Sequence, residues 1–153
     1  MSNIHERSIH ENNRHATGVH ETTLRVRYAE TDQMGVVYHA NFFIWFEVGR
    51  VEFMRSLGLD YRDLEREHGC FIAVAEARCR YKAPARYDEL LVIRTRLKGQ
   101  RGSLVQFAYE VLRQADGLLL AEGETSHVVT DAQLKMCPLP EKYRKIFQKI
   151  ERQ

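Results

Sequence analysis

The hydrophobic pattern along the chain changes from strand-like to helix-like and then back to strand-like. Alternating apolar and polar residues over 22–28 predict a strand with one face in solvent. Apolar residues around most of the circumference of 41–59 predict a long helix that the rest of the fold surrounds. Gly49, in the middle of this helix, would let a sheet approach closely. Residues 60–68 are typical of a short polar helix that ends at Gly69.

Four further strands are predicted in the second half of the chain, and short turn-like links between the last three favour antiparallel pairing. Their bounds are 71–81, 90–98, 103–113 and 118–130. Strict alternation puts five residues of the first of them on one face: Phe71, Ala73, Ala75, Ala77 and Cys79. In the next two strands the inward positions are Leu91, Ile93, Thr95, Leu97, Val105, Phe107, Tyr109 and Val111. A basic amphipathic helix over 141–150 comes last, after Pro138 and Pro140. The predicted fold class is therefore α+β, with one antiparallel sheet around one long buried helix.

The composition is that of one globular domain. The chain has 153 residues, of which 44% are hydrophobic and 29% charged, and no apolar run approaches the ~20 residues of a membrane span. Residues 1–19 are polar and predict a flexible N-terminal arm without the apolar stretch of a signal peptide, while 20–153 form the domain. Three cysteines without a C-x-x-C pair indicate a reducing cytoplasm and no cysteine-based metal site. Histidines at five-residue spacing in the arm share no helix or strand face, so no metal site is predicted there either.

The net charge is only +2, so no nucleic-acid partner is predicted. The charge is nevertheless distributed unevenly. The segment 78–101 carries eight basic residues against two acidic ones. Such a local basic field suits an anionic ligand such as a phosphate. A solvated strand face explains the same pattern, and composition does not decide between the two.

One polar cluster interrupts the apolar pattern between the first strand and the long helix. Its members are Tyr28, Glu30, Thr31, Asp32, His39 and Asn41. A helix N-terminus offers unpaired N–H groups that can hold a developing oxyanion, as in acyl transfer. A carboxylate just upstream could activate water or attack as a nucleophile. The simpler alternative is that Asp32 only caps a turn and that His39 is a hydrogen-bonded loop residue.

The stretch RYAETDQMGVVYHANFFIWFEVGR resembles the signature of hotdog-fold acyl-CoA thioesterases of the 4-hydroxybenzoyl-CoA thioesterase type. The resemblance is greatest to the branch encoded with the Tol-Pal envelope genes, and it extends from about residue 22 to about 143. The residues that match in register are Asp32, Gly35, Val36, Val37, Tyr38, His39 and Asn41, followed by Phe46, Glu47 and Arg50 on the helix. Phe42 departs from the family, in which a tyrosine is common at this position.

The resemblance implies a hotdog fold, with about five strands curled around the helix, and hydrolysis of acyl-CoA thioesters to free acid and coenzyme A. It implies Asp32 as the catalytic carboxylate, the backbone N–H of His39 as an oxyanion donor, and a contribution to activity from Tyr28 and from the side chain of His39. Two chains would pair their sheets, as a homodimer or a dimer of dimers, with active sites at the interface. Coenzyme A would be part of the substrate, and no other cofactor would be required.

Contacts to coenzyme A are expected from Lys98, Arg101 and Ser103, since this strand-to-strand region binds its phosphates or pantetheine in the family. His127 and Cys79 are expected to pack in the core, and Glu47 to be structural and paired with Arg50 or Arg78. Trp45 and Phe53 are interpreted as core or substrate-pocket wall. Two other functions stay open: an acyl-CoA-binding or partner-binding module without turnover, and a hotdog dehydratase or hydratase, for which the sequence lacks the matching His and Glu pattern.

Overall fold

A computed structural model describes residues 18–152. The predicted arm lies outside these residues, apart from its last two positions. The strands are β1 (Val19–Arg25), β2 (Phe71–Tyr81), β3 (Leu90–Arg101), β4 (Leu104–Arg113) and β5 (Leu119–Thr130); the helices are α1 (Asn41–Ser56), α2 (Tyr61–His68) and α3 (Glu141–Glu151). A short 3₁₀ turn, Tyr28–Glu30, lies between β1 and α1. Within the described residues, no helix is long and apolar enough to cross a membrane.

All strand pairs are antiparallel, and the order across the sheet is β1-β3-β4-β5-β2. The predicted α+β architecture is confirmed, as are the inward positions of β3 and β4, which are buried. The short polar helix is also confirmed: the Asp60 side chain caps α2 by accepting from the Arg62 N–H, and Gly69 ends it in the left-handed conformation. β1 and β2 are therefore the two edge strands of the sheet.

The first strand begins and ends earlier than the alternation over 22–28 predicted. β1 stops at Arg25, and Tyr28 lies in the 3₁₀ turn instead of in the strand. Val26 still bonds to the segment before β3, donating to the Glu89 carbonyl at 2.9 Å. Asp88 takes a positive φ of 68° there and donates to the Val26 carbonyl at 3.0 Å, so the contact at Val26 is made by a turn and not by an extended strand.

In β2 the strict alternation was wrong because the strand contains a bulge. The register passes from Val74 opposite His127 to Glu76 opposite Ser126, which leaves Ala75 as an extra residue. A bulge exchanges the two faces of a strand beyond it. Ile72 before the bulge and Cys79 after it therefore both pack against the core, although strict alternation put them on opposite faces.

α1 lies against the inner face of the sheet, and Gly49 makes this close approach possible. A Cβ at Gly49 would lie 2.8 Å from the Ile93 Cγ2 atom and would overlap the Thr95 hydroxyl. One turn earlier, the Phe46 ring stacks on the Tyr109 ring with centroids 4.5 Å apart. Trp45 and Phe53 are both buried in the same core.

The outer face of the sheet carries most of the basic segment, and acidic residues of other strands neutralise half of it. Lys98 and Arg78 both pair with Glu124, and Lys82 lies 3.6 Å from Glu122. Arg94 pairs with Glu21 at 2.9 Å. The other four cations have no ion pair among residues 18–152: Arg80, Arg86, Arg96 and Arg101. The solvated-face interpretation thus holds for the paired half, where the carboxylates come from distant parts of the sequence.

Candidate active site

The polar cluster surrounds one closed loop, residues 31–40, called here the Asp32 loop; Tyr28 and Glu30 lie just before it and Asn41 just after it. A β-bridge between Thr31 and Val37 closes the first part of the loop. The Tyr38 N–H donates to the Glu30 carbonyl at 2.9 Å, and the Asn41 side chain donates to the same carbonyl at 2.8 Å. Asn41 therefore ties the first turn of α1 to the loop, which is a physical reason for an amide at this position.

Asp32 forms the tight turn at the tip of this loop. Its backbone N–H donates to the Val36 carbonyl at 2.9 Å, and its carbonyl accepts from the Gly35 N–H at 3.0 Å. One carboxylate oxygen accepts from the Met34 N–H at 2.8 Å. The other has no partner among residues 18–152 and lies on a half-buried side chain. Asp32 thus caps a turn, as the simpler alternative predicted, and still offers a free carboxylate oxygen.

The start of α1 leaves two N–H groups without partners. Within the described part of the chain, nothing accepts from the backbone N–H of His39 or of Ala40, and an alanine side chain cannot cap the helix. The carbonyl of His39 accepts from the Tyr81 hydroxyl of β2 at 2.9 Å, which fixes the orientation of this peptide. The imidazole is exposed, with its ring 4.5 Å from that of Tyr38. Free N–H groups at a helix start are suited to bind a negatively charged oxygen.

Glu30 holds the residues before the loop against α1 through hydrogen bonds, a role that the sequence did not reveal. Its buried carboxylate accepts from the Arg27 N–H and from the Trp45 indole, both at 2.8 Å. Burial alone would raise the pKa of Glu30, but these hydrogen bonds outweigh it and hold the pKa below its usual value. Glu30 is therefore an ionised structural residue. Its indole partner lies fifteen residues further along the chain, so no local motif could reveal it.

Tyr28 and Phe42, the aromatic residues on either side of the loop in the sequence, differ in exposure. Tyr28 is 78% exposed, and its ring meets the Tyr87 ring edge-on at 5.7 Å. Phe42 is buried, and its ring packs against Trp45 and Tyr81 at 4.7 and 5.2 Å. Phe42 thus makes only apolar and aromatic contacts here. A tyrosine at this buried position would bring a hydroxyl that needs a hydrogen-bond partner.

The residues expected to contact coenzyme A lie at the other end of the sheet. The Asp32 loop contacts the segment before β3, where the Val37 N–H donates to the Ala85 carbonyl at 2.8 Å. Lys98 and Arg101 lie at the far end of β3, and Ser103 lies in the following turn. At 3.3 Å per residue, Lys98 is roughly 26 Å and Arg101 roughly 36 Å along the strand from its first residue. Lys98 already bonds to Glu124 at 2.9 Å. A single chain does not bring these three residues and Asp32 together.

A second polar cluster lies under the middle of α1 and is called here the buried polar cluster: Arg50, Tyr109, Thr125 and His127. Arg50 donates to the Tyr109 hydroxyl at 3.0 Å, this hydroxyl bonds to that of Thr125 at 2.6 Å, and Thr125 bonds to the His127 ring at 2.8 Å. Burial, helped by the charge of Arg50, lowers the pKa of His127 to about 3. His127 is therefore a neutral core residue, as predicted.

The expected pairing of Glu47 is wrong. Glu47 is exposed on α1 and forms no ion pair within residues 18–152. Arg50 is turned inward to Tyr109, and Arg78 pairs with Glu124 across β2 and β5. Nor do the described residues include a group of three or more His, Cys, Asp or Glu side chains that could hold a metal ion.

The antiparallel sheet packs around one central helix, and a loop with an aspartate precedes that helix. This arrangement is that of a hotdog-fold protein. Residues 26–147 match the model of the thioesterase-like superfamily, and the chain belongs to this family. The resemblance seen in the sequence and the hotdog fold that it implies are both confirmed. The narrower prediction of the branch encoded with the Tol-Pal genes stays a prediction.

Named relatives cover most of the chain. It is 37% identical over 129 residues to the putative acyl-CoA thioesterase YneP of Bacillus subtilis, covering 84% of this chain and 90% of that protein. It is 36% identical over 115 residues to the acyl-CoA thioester hydrolase YbgC of Escherichia coli, covering 75% and 84%. Among solved structures, the DHNA-CoA thioesterase of Staphylococcus aureus superposes with a TM-score of 0.83 at 28% identity, covering 88% of this chain and 91% of that one.

Proposed function

We propose that this protein hydrolyses acyl-CoA thioesters to free acid and coenzyme A at the Asp32 loop. The observation that carries the proposal is the combination of two features in one short loop. Asp32 has a carboxylate oxygen without a partner among the described residues, and the N–H groups of His39 and Ala40 are unpaired at the start of α1. The names of the relatives, acyl-CoA thioesterase and acyl-CoA thioester hydrolase, agree with this chemistry.

In the reaction, the thioester oxygen accepts hydrogen bonds from the free N–H groups as it becomes negative. Asp32 either removes a proton from the attacking water or attacks the carbonyl carbon itself. The carbon–sulfur bond then breaks, and coenzyme A leaves with the electron pair and takes up a proton. In the nucleophilic route a mixed anhydride on Asp32 is hydrolysed afterwards. With enzyme in excess, that route releases the thiol before the acid, whereas the general-base route releases both together.

The exposed side chains of Tyr28 and His39 complete the proposed catalytic group. Tyr28 lies just before the loop and His39 near its end, and neither side chain forms a hydrogen bond within the described residues. They are therefore available to orient the acyl group or the water. No cofactor is proposed beyond the coenzyme A portion of the substrate.

We further propose that Lys98, Arg101 and Ser103 bind the phosphates or the pantetheine of coenzyme A, and that a second copy of the chain completes the site. The far position of these residues supports this, because another chain must supply the coenzyme A contacts to the Asp32 loop. β2 is suited to pair with its copy: along its outer edge it has no strand partner among residues 18–152, and its Val74 side chain is 57% exposed. An open edge with apolar side chains readily pairs with another strand.

We propose a location in the cytoplasm. The thiols of Cys70, Cys79 and Cys137 are free, which is in keeping with a reducing compartment.

The deciding experiment is a thiol-release assay with benzoyl-, 4-hydroxybenzoyl-, short-chain and long-chain aliphatic acyl-CoA, run beside Asp32→Asn. Release that disappears in the variant supports hydrolysis at Asp32, and the ranking of the panel identifies the acyl class. Tight acyl-CoA binding without release by the folded protein would favour a binding module instead. Release of a product with a double bond or its hydrate, without free thiol, would favour the dehydratase class.

The coenzyme A site is tested by comparing two arginines on β3. Arg101→Ala should raise KM for acyl-CoA several-fold and leave kcat unchanged, because it removes ground-state binding only. Arg96→Ala is the matched control, since Arg96 is also exposed and also lacks an ion pair in residues 18–152. Equal effects of both substitutions would remove Arg101 from the proposed site.

A further inference from the structure

Two of the three cysteines are in contact, although 67 positions separate them in the sequence. The Cys70 and Cys137 sulfur atoms lie 3.7 Å apart, which is close to van der Waals contact. Cys70 is buried and Cys137 is partly exposed. A disulfide needs an approach of about 1.7 Å more, to the ~2.05 Å of a sulfur–sulfur bond.

Each cysteine lies in a segment that joins two elements. Cys70 directly precedes β2, and its N–H donates to the Leu64 carbonyl of α2 at 3.1 Å. Cys137 lies in residues 131–140, called here the connector, which leads from β5 to α3. Its N–H donates to the Val129 carbonyl at 3.0 Å. Cys70 belongs to the core cluster, and Cys137 packs against it. Gly69 before Cys70 and the exposed Lys135 and Met136 before Cys137 are at loop positions, which can absorb a backbone shift of this size.

We propose that Cys70 and Cys137 are an oxidisable dithiol, and that its disulfide staples the start of β2 to the connector. A low-molecular-weight disulfide such as oxidised glutathione supplies the oxidant. The thiolate of the more accessible Cys137 attacks one of its sulfur atoms and releases one glutathione thiol. The Cys70 thiolate then attacks the Cys137 sulfur and releases the second. Two protein thiols and one oxidised glutathione thus become one protein disulfide and two glutathione thiols.

The staple would act on the turn that joins β3 to β4, residues 101–104, because the connector is bonded to it. The Leu139 N–H donates to the Gly102 carbonyl at 3.2 Å, and the Ser103 hydroxyl lies 4.0 Å from the Met136 sulfur. Oxidation would therefore hold this turn more rigidly. Any effect on coenzyme A binding rests on the proposed function, whereas the disulfide itself does not.

The chemistry is tested on the whole folded protein equilibrated in buffers of increasing oxidised-to-reduced glutathione ratio. Free thiols are then blocked by alkylation, and the protein is mapped by mass spectrometry. Before alkylation, the intact mass of the oxidised protein should lie about 2 Da below that of the reduced protein, corresponding to two hydrogens. After alkylation, the peptide map should contain a Cys70–Cys137 crosslinked peptide. Cys79 is the internal control, since it is half-buried without a cysteine neighbour, and should stay alkylated. The proposal would be overturned if Cys70 and Cys137 were both alkylated at every ratio, if they formed only glutathione adducts, or if the disulfide included Cys79.

The structural effect is tested by melting temperature and by trypsin cleavage after Lys135. Oxidation should raise the melting temperature by about 10 °C, because the closed loop is long, and should slow this cleavage several-fold. Both effects should be absent in Cys70→Ser and in Cys137→Ser and kept in Cys79→Ser. Equal changes in all three variants would contradict a specific staple. Thiol release is measured in both redox states: a crosslink without hydrolysis in either state would sustain this inference and reject the proposed function.

Discussion

The two polar clusters along α1 differ in almost every physical respect. At the N-terminus of the helix, the Asp32 loop has an exposed imidazole, unpaired N–H groups and a free carboxylate oxygen. Under the middle of the same helix, the buried polar cluster of Arg50, Tyr109, Thr125 and His127 is closed off, with hydrogen bonds linking the four side chains in a chain. The first cluster is accessible to a substrate, and the second is not.

The comparison shows that the role of a polar residue next to the apolar core depends on its access to solvent and on its hydrogen-bond partners. His39 and His127 have the same side chain, but His39 is exposed and His127 is 1% exposed. The same contrast holds for Asp32 and Glu30, which lie two positions apart. Glu30 has its hydrogen bonds satisfied and is buried, while Asp32 keeps an oxygen for chemistry. The predictions below separate the two clusters by activity, by pH dependence and by stability.

The largest expected effect is on turnover. Asp32→Asn should lower thiol release by a factor of about 10²–10⁴, the usual loss of a general base or nucleophile. The melting temperature should stay the same, because the asparagine oxygen can still accept from the Met34 N–H. Asp116→Asn is the matched control, since the Asp116 carboxylate also accepts a backbone N–H in a turn. A variant at Asp32 that keeps more than a tenth of wild-type turnover would remove this residue from the mechanism.

The next effect is on the pH dependence of stability. His127 has a pKa of about 3 in the folded protein, below its ordinary 6.5, so the unfolded chain takes up the proton first as pH falls. The contribution of His127 to the free energy of unfolding is fully present above about pH 6.5 and is lost as pH falls toward 3. In this range the free energy of unfolding should fall by up to about 1.4 kcal/mol per pH unit because of this one group. Urea unfolding between pH 4.5 and 7.5 should therefore show a flatter profile for His127→Gln than for wild type. His39→Gln, at an exposed histidine, is the comparison variant, and a slope for His127→Gln equal to that of wild type would refute the assignment.

A smaller effect is expected on stability alone. Tyr109→Phe removes the hydroxyl between Arg50 and Thr125 and leaves the buried guanidinium without this acceptor. The free energy of unfolding should fall by about 1–3 kcal/mol, which is a drop of about 3–10 °C in melting temperature for a chain of this size. Tyr87→Phe, at an exposed ring, should leave the melting temperature unchanged. A tenfold loss of turnover in Tyr109→Phe at 25 °C would show that the buried polar cluster takes part in the chemistry. It would contradict the conclusion that only the Asp32 loop is functional.

The smallest effect concerns the peptide at the start of α1. Tyr81→Phe removes the hydrogen bond to the His39 carbonyl but keeps the ring contact with Phe42. The His39–Ala40 peptide, which carries the Ala40 N–H, one of the two proposed oxyanion donors, should lose part of its fixed orientation. Thiol release should fall about 2- to 10-fold, in line with a hydrogen bond worth about 0.5–1.5 kcal/mol. Unchanged kcat would mean that the helix start is oriented without Tyr81.

The elements of the fold were predictable because their signals are local. Periodicity identified the long helix, the four later strands and the last helix, and capping chemistry identified Asp60 and Gly69 as the bounds of α2. The polar cluster was also visible, since Asp32, His39 and Asn41 lie within ten positions of each other. The bulge at Ala75 was not visible, because the pairing of β2 with β5 inserts it and no residue type announces it.

The sequence by itself thus determined the elements, the family and the loop that carries the candidate chemistry, because each depends on neighbours along the chain. Only the tertiary structure decided which polar groups are satisfied. In the fold, Glu30 forms a hydrogen bond with Trp45 and Arg50 forms one with Tyr109. Half of the basic segment forms ion pairs with carboxylates of other strands. The tertiary structure also brought Cys70 to Cys137 and put the expected coenzyme A residues far from Asp32. The physical reason is that hydrogen bonds, ion pairs and burial depend on distance in space, and a folded sheet joins residues that the sequence keeps apart.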